Sequence, residues 1–242
     1  LEAVLKFKGG KEGGKMKVIL RVIFFSLVFL FLLGLSGPAA YSKAPNFPDL
    51  SVNHWALKEI QALAQEGIIS GYPDGTFRPE NPVTRAEFAK LVLLASLHKE
   101  EPRFPAVLTF PDVPSRHWAF GYVEACAALG WMSGYPDGKF LPERTITKAE
   151  IVKVIVVARK LPPSVYDKSA FLDCREEDWF FPYVQTALSF NILRVPDPGF
   201  TEEVSKPFGA YHKEIIGYTF SPGLPATRAQ AAVLLYRLIF TP

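Results

Sequence analysis

Three short segments of this 242-residue chain place a basic residue in the first turn of an apolar helix. They are Thr84-Arg85-Ala86-Glu87, Thr147-Lys148-Ala149-Glu150 and Thr227-Arg228-Ala229-Gln230. The Thr and the Glu or Gln of each segment read as a capping box, in which each side chain satisfies a backbone N–H left over at the helix start. The cations have no such explanation. A helix start carries partial positive charge, so Arg85, Lys148 and Arg228 stand where a cation costs about 0.3–1 kcal/mol. An anion bound there would reverse the sign, because the backbone N–H groups point toward the same place. The competing account is chance placement on a solvated surface.

Other residues recur with them. Asp49, Asp112 and Asp173 either contact a ligand or cap turns by accepting backbone N–H bonds. Trp55, Trp118 and Trp179 open the preceding helices, where Trp is more often a core anchor than a ligand platform. His54 and His117 precede two of them, but Asp178 stands in the third place. A general acid–base role would not tolerate that exchange, so the histidines read as structural.

A repeat must position these groups. Phe47-Pro48-Asp49 returns as Phe110-Pro111-Asp112 and as Phe171-Leu172-Asp173, and Gly71-Tyr72-Pro73-Asp74-Gly75 returns as Gly134-Tyr135-Pro136-Asp137-Gly138. The first two copies align from Phe47 to Glu87 at a constant offset of 63 residues. Such regularity marks an array, and arrays more often build binding surfaces than single catalytic centres. Each unit reads as helix, loop, helix. Ala56, Ile60 and Leu63 lead to Gly67 at helical spacing, as Ala119, Val123 and Cys126 lead to Gly130, and Phe180, Val184 and Ala187 to Asn191. Gly67, Gly130 and Asn191 fit left-handed helix ends. Tyr72-Pro73-Asp74-Gly75 has turn chemistry. Short extended pieces around Phe77 and Phe140 are the only strand signal. Val83 with Phe88, and Ile146 with Ile151, fit hydrophobic staples.

Charge excludes one class of partner. Residues 1–39 hold six of the 27 basic and two of the 24 acidic residues, leaving 21 basic against 22 acidic in the remainder. The repeats therefore carry no basic run for a nucleic acid. Lys15, Lys17 and Arg21 precede an apolar run of 14 residues, Val22 to Leu35, ending at Gly37-Pro38-Ala39. That order is a secretory signal, and the run is short of the roughly 20 residues that span a bilayer. An uncleaved membrane tether using residues 18–35 is the alternative. Cys126 and Cys174 align with apolar positions of the other copies and read as buried thiols, with a disulfide left open. Four scattered His and two distant Cys show no metal-ligand spacing, and no cofactor is expected.

Phe-Pro-Asp, His-Trp-Ala, Gly-Tyr-Pro-Asp-Gly and Thr-Arg-Ala-Glu together resemble the signature of S-layer homology domains. The resemblance covers about residues 47–240 as three tandem copies. It implies a mainly α fold of pseudo-threefold symmetry, each copy giving one helix to a central bundle, with ligand grooves between neighbours. It also implies non-covalent anchoring of a secreted protein to secondary cell-wall polysaccharide, typically carrying pyruvylated N-acetylmannosamine. Other envelope or S-layer proteins are further candidate partners. In such domains the basic residue meets the ligand's carboxylate, which selects Arg85, Lys148 and Arg228. Asp49, Trp55, Asp112, Trp118, Asp173 and Trp179 are the other candidate groove residues. The organisation expected is an extension and signal over 1–39, a linker at 40–46, repeats at 47–98, 110–160 and 171–242, and linkers at 99–109 and 161–170.

The third copy departs from the pattern. It has Val195-Pro196-Asp197-Pro198-Gly199 in place of Gly-Tyr-Pro-Asp-Gly. Its Trp-to-Thr spacing is 48 residues against 29 in the others, which predicts a removable surface insertion near 200–219. No second domain is evident to be anchored. A wall-degrading glycoside hydrolase is the rival from another class, since pairs such as Asp49 and Glu87 recur. Gln230 breaks the pair in the third copy.

Overall fold

The computed structural model describes residues 46–97, 108–164, 171–208 and 213–240. The expected signal, and all of the 40–46 linker except its last residue, lie outside them. Six helices form among the described residues: α1 Leu57–Gln65, α2 Arg85–Ser96, α3 Phe120–Ala128, α4 Lys148–Ala158, α5 Phe181–Ser189 and α6 Arg228–Phe240. The local chemistry agrees with the sequence. Thr84 and Thr147 accept from the backbone N–H of Glu87 and Glu150 while those carboxylates accept from the Thr N–H, and Thr227 and Gln230 do the same. Gly67, Gly130 and Asn191 all adopt positive φ where the first helices end. Val83, Phe88, Ile146 and Ile151 are fully buried.

Tertiary pairing is less local than the repeat suggests. The three capped helices α2, α4 and α6 pack on one another, as a central bundle requires. Each first helix then packs on the capped helix of a different copy: α3 on α2, α5 on α4, and α1 on α6. The last contact closes the array into a ring. Backbone bonds repeat the closure. Val83 N–H donates to Ala226 O, Ala226 N–H to Ile146 O, and Ile146 N–H to Val83 O, at 2.8–3.0 Å, forming a triangle around the axis. All three residues are buried, so these are the polar groups a core must pair internally.

One element was not anticipated. The insertion is an antiparallel hairpin, β1 Glu202–Phe208 with β2 Lys213–Thr219, in register from Glu202↔Thr219 to Phe208↔Lys213. It is not simply appended to the surface. Leu172 N–H donates to Tyr218 O at 2.8 Å, and the flanking Phe200 and Phe220 are fully buried. The insertion is thus joined at its base to the start of the third copy.

Candidate functional site

Each Asp of the Phe-Pro-Asp or Phe-Leu-Asp turn grips the strand-like segment before the capped helix. Asp49 accepts from Phe77 N–H at 2.8 Å and Arg78 N–H at 2.6 Å. Asp112 accepts from Phe140 and Leu141 at 2.9 and 2.8 Å, and Asp173 from Phe220 and Ser221 at 2.8 and 2.7 Å. Arg78, Leu141 and Ser221 have φ of 55–58°, a left-handed conformation that is uncommon for L residues. Partial burial favours protonation of Asp49 and Asp112, but the backbone N–H bonds outweigh it and hold both carboxyls below the usual range. These aspartates are therefore occupied in holding the fold.

The same peptide units hold the cations. Phe140 O accepts from Arg85 Nε at 2.9 Å, Phe220 O from Lys148 Nζ at 3.1 Å, and Phe77 O from Arg228 Nε at 2.9 Å. Arg85 Nη2 also donates to Ser133 O at 2.7 Å and Arg228 Nη2 to Ser70 O at 2.9 Å. Each chain of contacts, Asp to Phe to base, crosses between copies. Arg85 is 5% exposed and Lys148 8%, and burial lowers the proton affinity of both. Arg85 lies over the Tyr135 and Phe140 rings at 4.7 and 4.5 Å, and Arg228 over Tyr72 and Phe77 at 4.8 and 4.7 Å.

The helix-start argument for an anion needs correction. The first N–H groups of the capped helices are already paired across the ring: Arg85 and Ala86 donate to Arg144 O and Pro142 O, Lys148 and Ala149 to Leu224 O and Pro222 O, and Arg228 and Ala229 to Asn81 O and Pro79 O. Carbonyl oxygens of the neighbouring copy thus take the place expected for an anion. The backbone at these helix starts offers a ligand no donor from those positions.

A groove of about 250 Å³ does lie between copies. The first copy supplies Ser70, Gly71, Tyr72, Glu87 and Lys90, the second Trp118, and the third Arg228. Trp118 is 54% exposed and Trp179 55%, so neither is the core anchor that Trp usually is at such a position. His117 stacks on Trp118 and accepts from Ala119 N–H through Nδ1, and His54 does the same for Trp55 and Ala56. The histidines are structural. Trp179 opens α5 on α4 as Trp118 opens α3 on α2.

Trp55 differs. It is half-buried, with the Phe200 ring set edge-on at 6.1 Å, and a Cβ on Gly199 would lie 2.2 Å from its indole. Of the nine candidate residues, the described groove brings together Trp118 and Arg228. Lys90 and Tyr72 were missed, although the sequence held a signal for them: Lys153 and Tyr135 recur at the 63-residue offset. Gly71, the first residue of the recurring Gly-Tyr-Pro-Asp-Gly motif, also lines the groove. The Phe47 ring leaves no room for a Cβ there, and Phe110 does the same at Gly134.

The hydrolase pairing finds no support in this geometry. Asp49 and Asp112 hold backbone N–H groups, Glu87 caps Thr84, and Glu150 caps Thr147 while accepting from the Tyr135 hydroxyl at 2.9 Å. Among the described residues no group of His, Cys, Asp and Glu could hold a metal, and no helix is long and apolar enough to cross a membrane. Cys126 and Cys174 are buried free thiols. Burial pushes the Cys174 thiol up to about 12 and the Cys126 thiol higher still.

Comparison with known proteins agrees with the repeat. Cell surface glycoprotein 1 of Acetivibrio thermocellus is 34% identical over 170 residues, 64% of this chain and 7% of that protein. The cellulosome-anchoring protein of the same organism is 30% identical over 177 residues, 72% of this chain and 39% of its own length. Exoglucanase XynX, also from Acetivibrio thermocellus, is 29% identical over 203 residues, which is 81% of this chain but 16% of the enzyme. The chain therefore spans well under half of each of these relatives. The S-layer homology domain model matches residues 46–89 and 109–152, the two copies with the full motif set, so the chain carries S-layer homology domains at these two copies.

Proposed function

We propose that the chain anchors to the bacterial cell wall without catalysis, by binding a carboxylate-bearing wall glycan of the pyruvylated N-acetylmannosamine type in its inter-repeat grooves. The surface-layer and anchoring relatives support the cell-surface setting. The observation that carries the binding reading is the convergence of Trp118, Arg228 and Lys90, from three different copies and elements, on one open groove. Small-ligand sites combine an apolar wall with a few placed polar groups, and this groove has both. The exposed indole offers a flat apolar face to a sugar ring. Arg228 is more accessible than Arg85 and Lys148, and its hydrogen bonds run through Nε and Nη2. Its Nη1 edge and the Lys90 ammonium are the cations placed for a carboxylate.

By the repeat, the equivalent second groove falls at Trp179, Arg85 and Lys153, with Arg85 the more buried cation and its Nη1 3.8 Å from Glu150. Asp49, Asp112 and Asp173 act indirectly, each by fixing the peptide whose carbonyl orients one base, Arg228, Arg85 and Lys148 respectively. The protein should co-sediment with purified walls, and removal of pyruvate from those walls should abolish it. Equal binding to stripped walls would exclude the carboxylate as the feature recognised. Sustained release of sugar would exclude the non-catalytic reading.

A further inference from the structure

We infer that the third groove is closed by the chain's own residues 194–201, so that recognition is confined to two grooves rather than three. This rests on the glycan-binding reading for its ligand, but the closure itself stands on separate geometry. In the first groove Trp118 faces Tyr72, Lys90 and Arg228 across open space. In the third, Gly199 and Phe200 lie directly against Trp55, and Phe200 is 1% exposed. Gly199 has φ of 76° and no room for a side chain, so the backbone itself meets the indole.

Three substitutions particular to the third copy accompany the closure. Val233 stands six residues after Thr227, where the other copies have Lys90 and Lys153, and it is buried. Gln230 replaces the Glu of the capping box, and its Nε2 donates to Gly199 O. Arg237 stands where the aligned positions are Leu94 and Val157, and it forms a bidentate pair with Asp197 at 2.7 and 2.9 Å. Asp197 is fully buried and also accepts from Arg194 N–H, while its own N–H donates to the Thr201 hydroxyl. Arg237 holds Ile192 O as well, at 2.8 Å. This network spans both ends of the segment that carries Phe200, and so it latches the segment over Trp55. The cation that would meet a carboxylate here, Lys148, is buried under the same copy and bonded to Phe220 O.

The test labels the whole chain with 5-fluorotryptophan, with resonances assigned by single Trp→Phe variants. It reads the H2O/D2O isotope shift of each fluorine and then titrates in a pyruvylated N-acetylmannosamine methyl glycoside. Trp118 and Trp179 should show the shifts of exposed rings and Trp55 a markedly smaller one, with two glycosides bound per chain. Phe200→Ala should raise the Trp55 shift toward that of Trp118. The unaltered protein alone decides the matter if that variant does not fold. A Trp55 shift equal to that of Trp118, or a third glycoside perturbing Trp55 in the unaltered chain, would overturn the inference. A shielded Trp55 that stays shielded in folded Phe200→Ala would overturn the role given to Phe200. A shielded Trp55 with no response of any Trp to the glycoside would uphold the closure and remove the glycan-binding reading instead.

Discussion

The first and third grooves share one scaffold and differ in what fills it. Both keep the capping box, the Asp-to-Phe bond and a cation on the Phe carbonyl. Only the first leaves its indole open, with Trp118 54% exposed, whereas Trp55 lies under Gly199 and Phe200. The bonds that close the ring are thus separable from the surface that would meet a ligand. A copy can lose the second and keep the first, because the ring needs three copies to bury α1, α3 and α5, while each groove has its own set of lining side chains.

The largest expected effect is on the latch of the third copy. Asp197→Ala leaves Arg237 buried without its partner, which should lower stability by about 3–5 kcal/mol. Chemical denaturation would measure it, and the first two copies offer no equivalent pair to lose. Next comes Arg85→Ala. The unmet dipole alone would have made this change neutral or slightly stabilising. With Arg85 buried on Phe140 O and Ser133 O, roughly 1.5–3 kcal/mol of stability should be lost instead. Arg228→Ala should cost less stability, because Arg228 is more exposed, and more wall affinity, and the two readouts together separate scaffold from groove. Thr84→Ala and Thr227→Ala should each cost about 1 kcal/mol, equally for the open and closed grooves, since the cap is common to both.

Acid should weaken the shared scaffold. The folded-state proton affinities of Asp49 and Asp112 are depressed. Their contribution is therefore present above the unfolded carboxyl value, 3.8, and is lost as pH falls through the lower folded one. Thermal melts across that window should show a falling midpoint, and Asp49→Asn should flatten the pH dependence.

What the sequence disclosed was local chemistry. The Thr84 and Thr147 caps, the left-handed Gly67, Gly130 and Asn191 and the helix–loop–helix unit all depend on residues within a few positions of one another. Partner choice does not. Nothing in the spacing says that α1 packs on α6, or that Phe77 O receives Arg228 from 151 residues away. The cations were therefore read against their own helix, with the neighbouring copy's carbonyls out of view. The hairpin at Glu202–Thr219 escaped for a different reason: it occurs once, so the repeat offered no second example. Its neighbour Phe200 closes a groove through a contact with Trp55, 145 residues earlier in the chain.

Co-sedimentation with purified walls tests the central claim most directly, comparing Trp118→Ala/Trp179→Ala with Trp55→Ala in folded protein. Removing two exposed aromatic contacts should weaken binding by about tenfold to a hundredfold, at 1.4 kcal/mol for each factor of ten. Trp55→Ala should leave wall affinity unchanged. Equal losses in the two variants, or full binding by the double variant, would contradict an anchor that works through its open grooves.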